Sequence, residues 1–123
     1  NEQGKLTSED IGEMCFILAK GAEGTDERNQ AIELCLKAEK AGSLIAQDML
    51  AFLYLDIDHK ESAKWARKAA DNGSVVAQAF VGINYLYGLG VEKDRQQAKK
   101  WLTKACNNKH QSACDMLKKH NLN

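Results

Sequence analysis

Apolar residues recur along this chain at intervals of three and four, in stretches set apart by short polar runs. Read at that period, the pattern predicts seven helices, over residues 8–20, 27–41, 44–55, 59–71, 75–87, 94–107 and 111–119. Ser8 and Asp94 stand where N-caps belong, since a short oxygen-bearing side chain can accept from the unpaired amides of a first turn. Gly42 and Gly73 stand where helices should end. Val75, Val76 and Ile83 are the nearest approach to a β-branched cluster, and no Asn-Gly or Asp-Gly pair joins two alternating runs. Proline is absent and Ala, Leu, Lys, Glu and Gln abound, so nothing opposes helix and the predicted class is all-α.

The elements repeat. Ala31, Leu34, Ala38, Gly42 and Ala46 return as Ser62, Trp65, Ala69, Gly73 and Ala77, then as Ala98, Trp101, Ala105, Lys109 and Ala113, after shifts of 31 and 36 residues. Small residues at helical spacing let two helices approach closely while a Trp or Leu fills the space beside them, so each block reads as a helix pair. The chain is therefore expected to be one domain, residues 1–123, with repeats over about 8–42, 44–73 and 75–109 and a terminal helix at 111–119. Trp65, Trp101, Tyr54, Tyr85, Ala69, Ala105 and Gly82 are read as packing residues.

The run Ala77-Gln78-Ala79-Phe80-Val81-Gly82-Ile83-Asn84-Tyr85-Leu86-Tyr87-Gly88-Leu89-Gly90-Val91-Glu92-Lys93-Asp94, continued by Ala98, Trp101 and Ala105, resembles the Sel-1-like repeat family, a relative of the tetratricopeptide repeat. The resemblance implies an α/α superhelix, or solenoid, of about three repeats that holds another protein. It weakens over residues 8–42, where the spacing survives without the Leu-Gly and Gly-x-Gly-Val signatures, and the middle turn is shortened to Leu55-Asp56-Ile57-Asp58-His59.

Four cysteines add a second layer to the resemblance, because Cys106 and Cys114, eight apart across a turn between helices, are similar to the staple of the cysteine-rich branch of the family, the Helicobacter-type cysteine-rich proteins. That branch implies Cys106 with Cys114, and repeat alignment sets Cys15 on the first helix of its pair and Cys35 on the second, so the expected partners are Cys15 with Cys35. The residues alone leave three connectivities open. Two bridges would place the protein in an oxidising compartment: the periplasm, free or lipid-anchored, or the outside of a bacterium. Cys106, His110 and Cys114 would offer three zinc ligands on one continuous helix. The alignment instead puts residues 109–111 in a turn, and no fourth ligand follows at matching spacing, so no metal or other cofactor is expected.

Composition narrows the function more than it names it. The formal charge is zero, yet residues 1–60 carry 12 acidic and 6 basic side chains and residues 61–123 carry 5 and 11, a polarity of −6 against +6 that can orient a charged protein partner without implying nucleic acid. No run approaches the ~20 apolar residues that span a bilayer. The opening Asn1-Glu2-Gln3-Gly4-Lys5 lacks a basic-then-apolar leader and is expected to be already processed. His59, His110 and His120 are scattered, the serines fall mostly at helix starts, and no nucleophile elbow or phosphate loop occurs, so no catalytic residue is nominated.

A solenoid of this kind lines its concave side with the first helix of each pair. Counting from Tyr54 and Tyr85 as anchors places Phe52 and Leu55, Ile83 and Leu86, and more weakly Phe16 and Ala19 on that side, with Asp48, Asp56 and Tyr87 at its rim. The expectation is a non-catalytic module that grips one protein, in its most concrete form an immunity protein neutralising a toxic effector in the periplasm. Resemblance to the cysteine-rich branch supplies one alternative, a beta-lactam-binding or -hydrolysing repeat protein, and a structural scaffold in an envelope assembly is another.

Overall fold

The computed structural model describes residues 6–123; the opening segment 1–5, and with it the expectation of a processed start, lies outside the described residues. Seven helices and no strand occur among them: α1 (Ser8–Gly21), α2 (Thr25–Lys40), α3 (Ile45–Tyr54), α4 (His59–Asp71), α5 (Val75–Tyr87), α6 (Arg95–Asn107) and α7 (Gln111–Lys119). Each packs on the next in order, and α1 also touches α3, so α1, α3 and α5 are first helices of their pairs and α2, α4 and α6 second helices. The fold is an all-α repeat solenoid.

Local chemistry sets the ends. Asp58, Ser74 and Asp94 cap α4, α5 and α6 by accepting from first-turn amides. At the first helix the expected cap moves by one residue: Ser8 is already helical, and Thr7 accepts from the Asp10 amide while the Asp10 carboxylate accepts from the Thr7 amide. That reciprocal pair satisfies two orphan donors, which a lone serine cannot do. The second helices all stop in one way. The amides of Ser43, Ser74 and His110 donate back to the carbonyls of Ala38, Ala69 and Ala105, and the residue before each has positive φ: Gly42 at 102°, Gly73 at 96° and Lys109 at 71°. Lysine in the third copy bears a conformational penalty that glycine avoids.

One inter-helix contact is solved three ways. In the third pair, a Cβ built on Gly82 of α5 would lie 2.7 Å from Leu102 Cγ, so only a hydrogen fits there. The repeat shifts carry that pair onto Ala51 and Ala66 in the middle, both buried, where Ser62 Oγ also donates to the Ala51 carbonyl at 2.6 Å. In the first pair they carry it onto Cys15 and Cys35, which form a disulfide with Cα atoms 4.9 Å apart. Glycine against leucine, alanine against alanine, and a covalent bond each let two helices pack closely at this position.

Polar ties within the repeats are matched as well. Buried Gln47 and Gln78 accept from Asn72 Nδ2 at 3.0 Å and Asn108 Nδ2 at 3.3 Å, each tying a first helix to the end of the second helix of its own pair. The next equivalent of Gln78 is Cys114 on α7, which instead bonds back to Cys106 on the preceding helix α6, with Cα atoms 4.8 Å apart. Trp65 and Trp101 join the larger core, which runs from Cys15 to Trp101, while Ala79, Leu86, Leu102 and Leu117 anchor a second core at the C-terminal end.

Candidate functional site

Exposed large apolar side chains concentrate in the N-terminal two-thirds of the molecule and on its first helices. Between α3 and α5 lies a cavity of about 200 Å³ walled by Met49, Phe52, Val76 and Phe80, with Asp48 and Lys20 beside them. Phe52 and Val76 keep 55% and 62% of their surface exposed, values that show nothing in the fold covers them. Lys20 Nζ stands 5.5 Å from the Phe16 ring centroid, so the apolar strip continues onto α1. There a wider cleft of about 560 Å³ runs between α1 and α3, lined by Gly12, Glu13, Phe16, Ser43, Leu44 and Ile45.

Asp48 is the polar feature of this strip. It is half-buried, and its carboxylate accepts from Ser74 Oγ at 2.8 Å. Burial pushes its carboxyl above the usual aspartate value, and the Ser74 hydrogen bond offsets only part of that rise. A partly desolvated carboxylate beside aromatic walls is set to receive a cation or a hydrogen-bond donor, which would restore the solvation it has lost.

The residues expected at the groove divide into groups. Asp48 and Phe52 share the α3–α5 cavity, and Phe16 lies in the adjoining cleft. Leu55 and Asp56 sit around a smaller hollow of about 100 Å³ that also touches Ala19 and Phe52. Tyr87 is exposed at the far end, its hydroxyl 3.3 Å from His120 Nε2. Leu86 is corrected: it is 3% exposed and belongs to the C-terminal core. Ile83 is half-buried against that same core, which also takes in Met116 and Leu117 of α7. The stripe fails there because α7 and Leu122 pack over this end of α5. Met49, Val76 and Phe80 were not foreseen. Val76 and Phe80 lie one turn apart on α5, a spacing visible in the sequence, but counting from the tyrosines selected a different edge of that helix.

The second disulfide uses the two thiols that a zinc site at Cys106, His110 and Cys114 would need, and His110 Nδ1 instead accepts from the Ala113 amide as the cap of α7. No group of three His, Cys, Asp or Glu side chains able to hold a metal ion occurs among the described residues, and no helix there is long and apolar enough to cross a membrane.

Comparison with known proteins now adds to the geometry. The Sel1 repeat family matches residues 12–43, 45–74 and 75–110. Two curated relatives are the chitin synthase regulator SKT5 of Saccharomyces cerevisiae, 34% identical over 61 residues, and the DAP3-binding cell death enhancer 1 of Rattus norvegicus, 31% identical over 88. These stretches are 50% and 69% of this chain but only 9% and 17% of those proteins, so the chain spans a small part of each. Among solved structures, a protective antigen of uropathogenic Escherichia coli with an SLR fold is 32% identical with a TM-score of 0.74, covering 86% of this chain and 24% of that one. Cysteine-rich protein B of Helicobacter pylori superposes with a TM-score of 0.67 over 93% of this chain and 99% of its own at 20% identity, a likeness of fold.

Proposed function

The chain belongs to the Sel1 repeat family, a family of protein-protein interaction modules, and from that premise we propose that it is a non-catalytic binder whose docking face is the strip from Phe16 through Phe52 to Phe80. The observation that carries this reading is the open α3–α5 cavity, in which Phe52 and Val76 remain exposed beside half-buried Asp48. An apolar hollow rimmed by one desolvated carboxylate suits a protein segment that inserts an aliphatic or aromatic side chain and sets a Lys or Arg next to it. Two of the curated relatives are named for regulating or binding another protein, which supports the same class of role.

Two disulfides support an oxidising compartment, the periplasm or the outside of the cell. In that setting the concrete role we favour is an immunity protein that neutralises one secreted toxic protein. The charge polarity of the chain would speed such an encounter without fixing the partner's identity.

The test is photo-crosslinking in envelope extract of the source cells, with benzoylphenylalanine in place of Phe52 in one variant and of exposed Lys99 on α6 in another. One dominant adduct is expected from position 52, and competition with unlabelled protein should erase it. A ladder of weak adducts from both positions would refute a dedicated face. A chromogenic beta-lactam incubated with the same protein is expected to remain intact, and its turnover would favour the enzyme instead.

A further inference from the structure

The strip described above occupies one flank of α1, and a different flank carries a second apolar stripe. Met14, Ile17 and Leu18 are 43%, 61% and 42% exposed, at the i, i+3, i+4 spacing of a helix-packing face. Gly12, Cys15 and Ala19, the buried side of the same helix, are already used against α2 and α3.

The repeat supplies the meaning of this stripe. The alignment that sets Cys15 with Ala51 and Gly82 sets Met14 with Leu50 and Val81, and Ile17 with Leu53 and Asn84. Those four equivalents are 0%, 3%, 4% and 3% exposed for Leu50, Val81, Leu53 and Asn84. In α5 the reason is visible: Val81, Asn84 and Tyr85 face Lys60, Ala63, Lys64 and Arg67 of α4, the second helix of the preceding repeat. On α1 the same positions present three apolar side chains with no helix against them among the described residues. By contrast, α7 exposes no large apolar side chain.

The geometry points to a second docking surface, in which Met14, Ile17 and Leu18 seat a basic amphipathic helix of another protein, in the place that α4 takes against α5. Contact geometry and charge define that occupant. The helix facing α5 offers an alanine flanked by Lys and Arg, and such a helix would meet α1 beside exposed Glu9 and Glu13, in the half of the chain whose net charge is −6. A second copy of this chain is disfavoured, because pairing α1 with α1 would bring those acidic residues together. Glu9 and Glu13 also line the cleft beside Phe16, but the apolar residues of the two surfaces are separate, so Ile17→Asp and Phe52→Asp distinguish them.

The test uses the 123-residue chain, 15N-labelled, and as probe a peptide of residues 59–71 with the sequence of α4, carrying a helix-stabilising cross-link outside the contact side. Saturable shifts centred on Met14, Ile17 and Leu18 are expected. Ile17→Asp should weaken binding at least tenfold with an unchanged melt, Phe52→Asp should leave it unchanged, and a peptide with Glu in place of Lys64 and Arg67 should bind at least tenfold more weakly. No saturation at millimolar peptide would overturn the proposal, as would shifts centred on Phe52 and Phe80. Sedimentation revealing a dimer that Ile17→Asp dissociates would overturn it in favour of a second copy.

Discussion

Gly82→Ala tests the packing argument because two opposed effects meet at one atom. Alanine in a helix interior is favoured over glycine by about 1 kcal/mol. Against that, the new Cβ would stand 2.7 Å and 2.8 Å from Leu102 Cγ and Cδ2 and 3.2 Å from the Leu102 amide nitrogen, and part of that obstacle is backbone. Overpacking of this kind costs roughly 1–3 kcal/mol, so the net expectation is a loss of about 1 kcal/mol. Gly21→Ala is the control: it is helical, nothing lies within 4 Å of its added Cβ, and it should gain ~0.4–1 kcal/mol. The middle repeat suggests a rescue, since Ala51 and Ala66 fill the equivalent positions without conflict. Leu102→Ala alone should cost about 2–5 kcal/mol, and the double variant should lose less than the sum by ~1 kcal/mol or more. Urea unfolding followed by tryptophan fluorescence and circular dichroism measures the four variants against the parent. A Gly82→Ala variant as stable as its parent, or strictly additive losses, would refute the claim that this contact is one site filled in alternative ways.

Lys109→Gly removes a side chain from a left-handed residue at the position where the other two copies have glycine, and thermal melting should record a gain of about 1 kcal/mol. Removing the Cys15–Cys35 bond, which spans 20 residues, should destabilise by roughly 3 kcal/mol, and removing Cys106–Cys114, which spans 8, by roughly 2.5, so denaturation midpoints should fall in that order. A hydrogen bond from Lys68 at 2.8 Å holds the Glu39 carboxyl below the usual glutamate value. The unfolded chain therefore takes up that proton first, so the contribution is complete above the ordinary glutamate range and fades as pH falls through it. Melting curves of Glu39→Gln and the parent should differ at pH 7 and draw together as pH falls below the ordinary glutamate range.

Much of this architecture was legible because the repeat writes the same contacts three times. The alanines at 38, 69 and 105 and the turn residues at 42, 73 and 109 gave the pairing of helices without any coordinates. Burial at the ends was harder to read, since it depends on what stacks next. Leu86 resembles a groove residue until α7 and Leu122 complete the core around it. Ile17 resembles a core residue until the preceding helix proves to be missing from the described array. Thr7 was passed over for Ser8 because either hydroxyl can cap, and only the return bond from Asp10 decides between them.

The proposed role rests on the strip through Phe52, and not the α6 surface around Lys99, holding the partner crosslinked at position 52. Its most direct test is the affinity of the partner crosslinked at position 52, measured by isothermal titration against the parent chain, Phe52→Asp and Lys99→Asp. The account predicts a loss of ~2–4 kcal/mol, some thirtyfold to a thousandfold, for Phe52→Asp and a change within about twofold for Lys99→Asp. Equal affinities for the parent and Phe52→Asp, with weakening confined to Lys99→Asp, would contradict it.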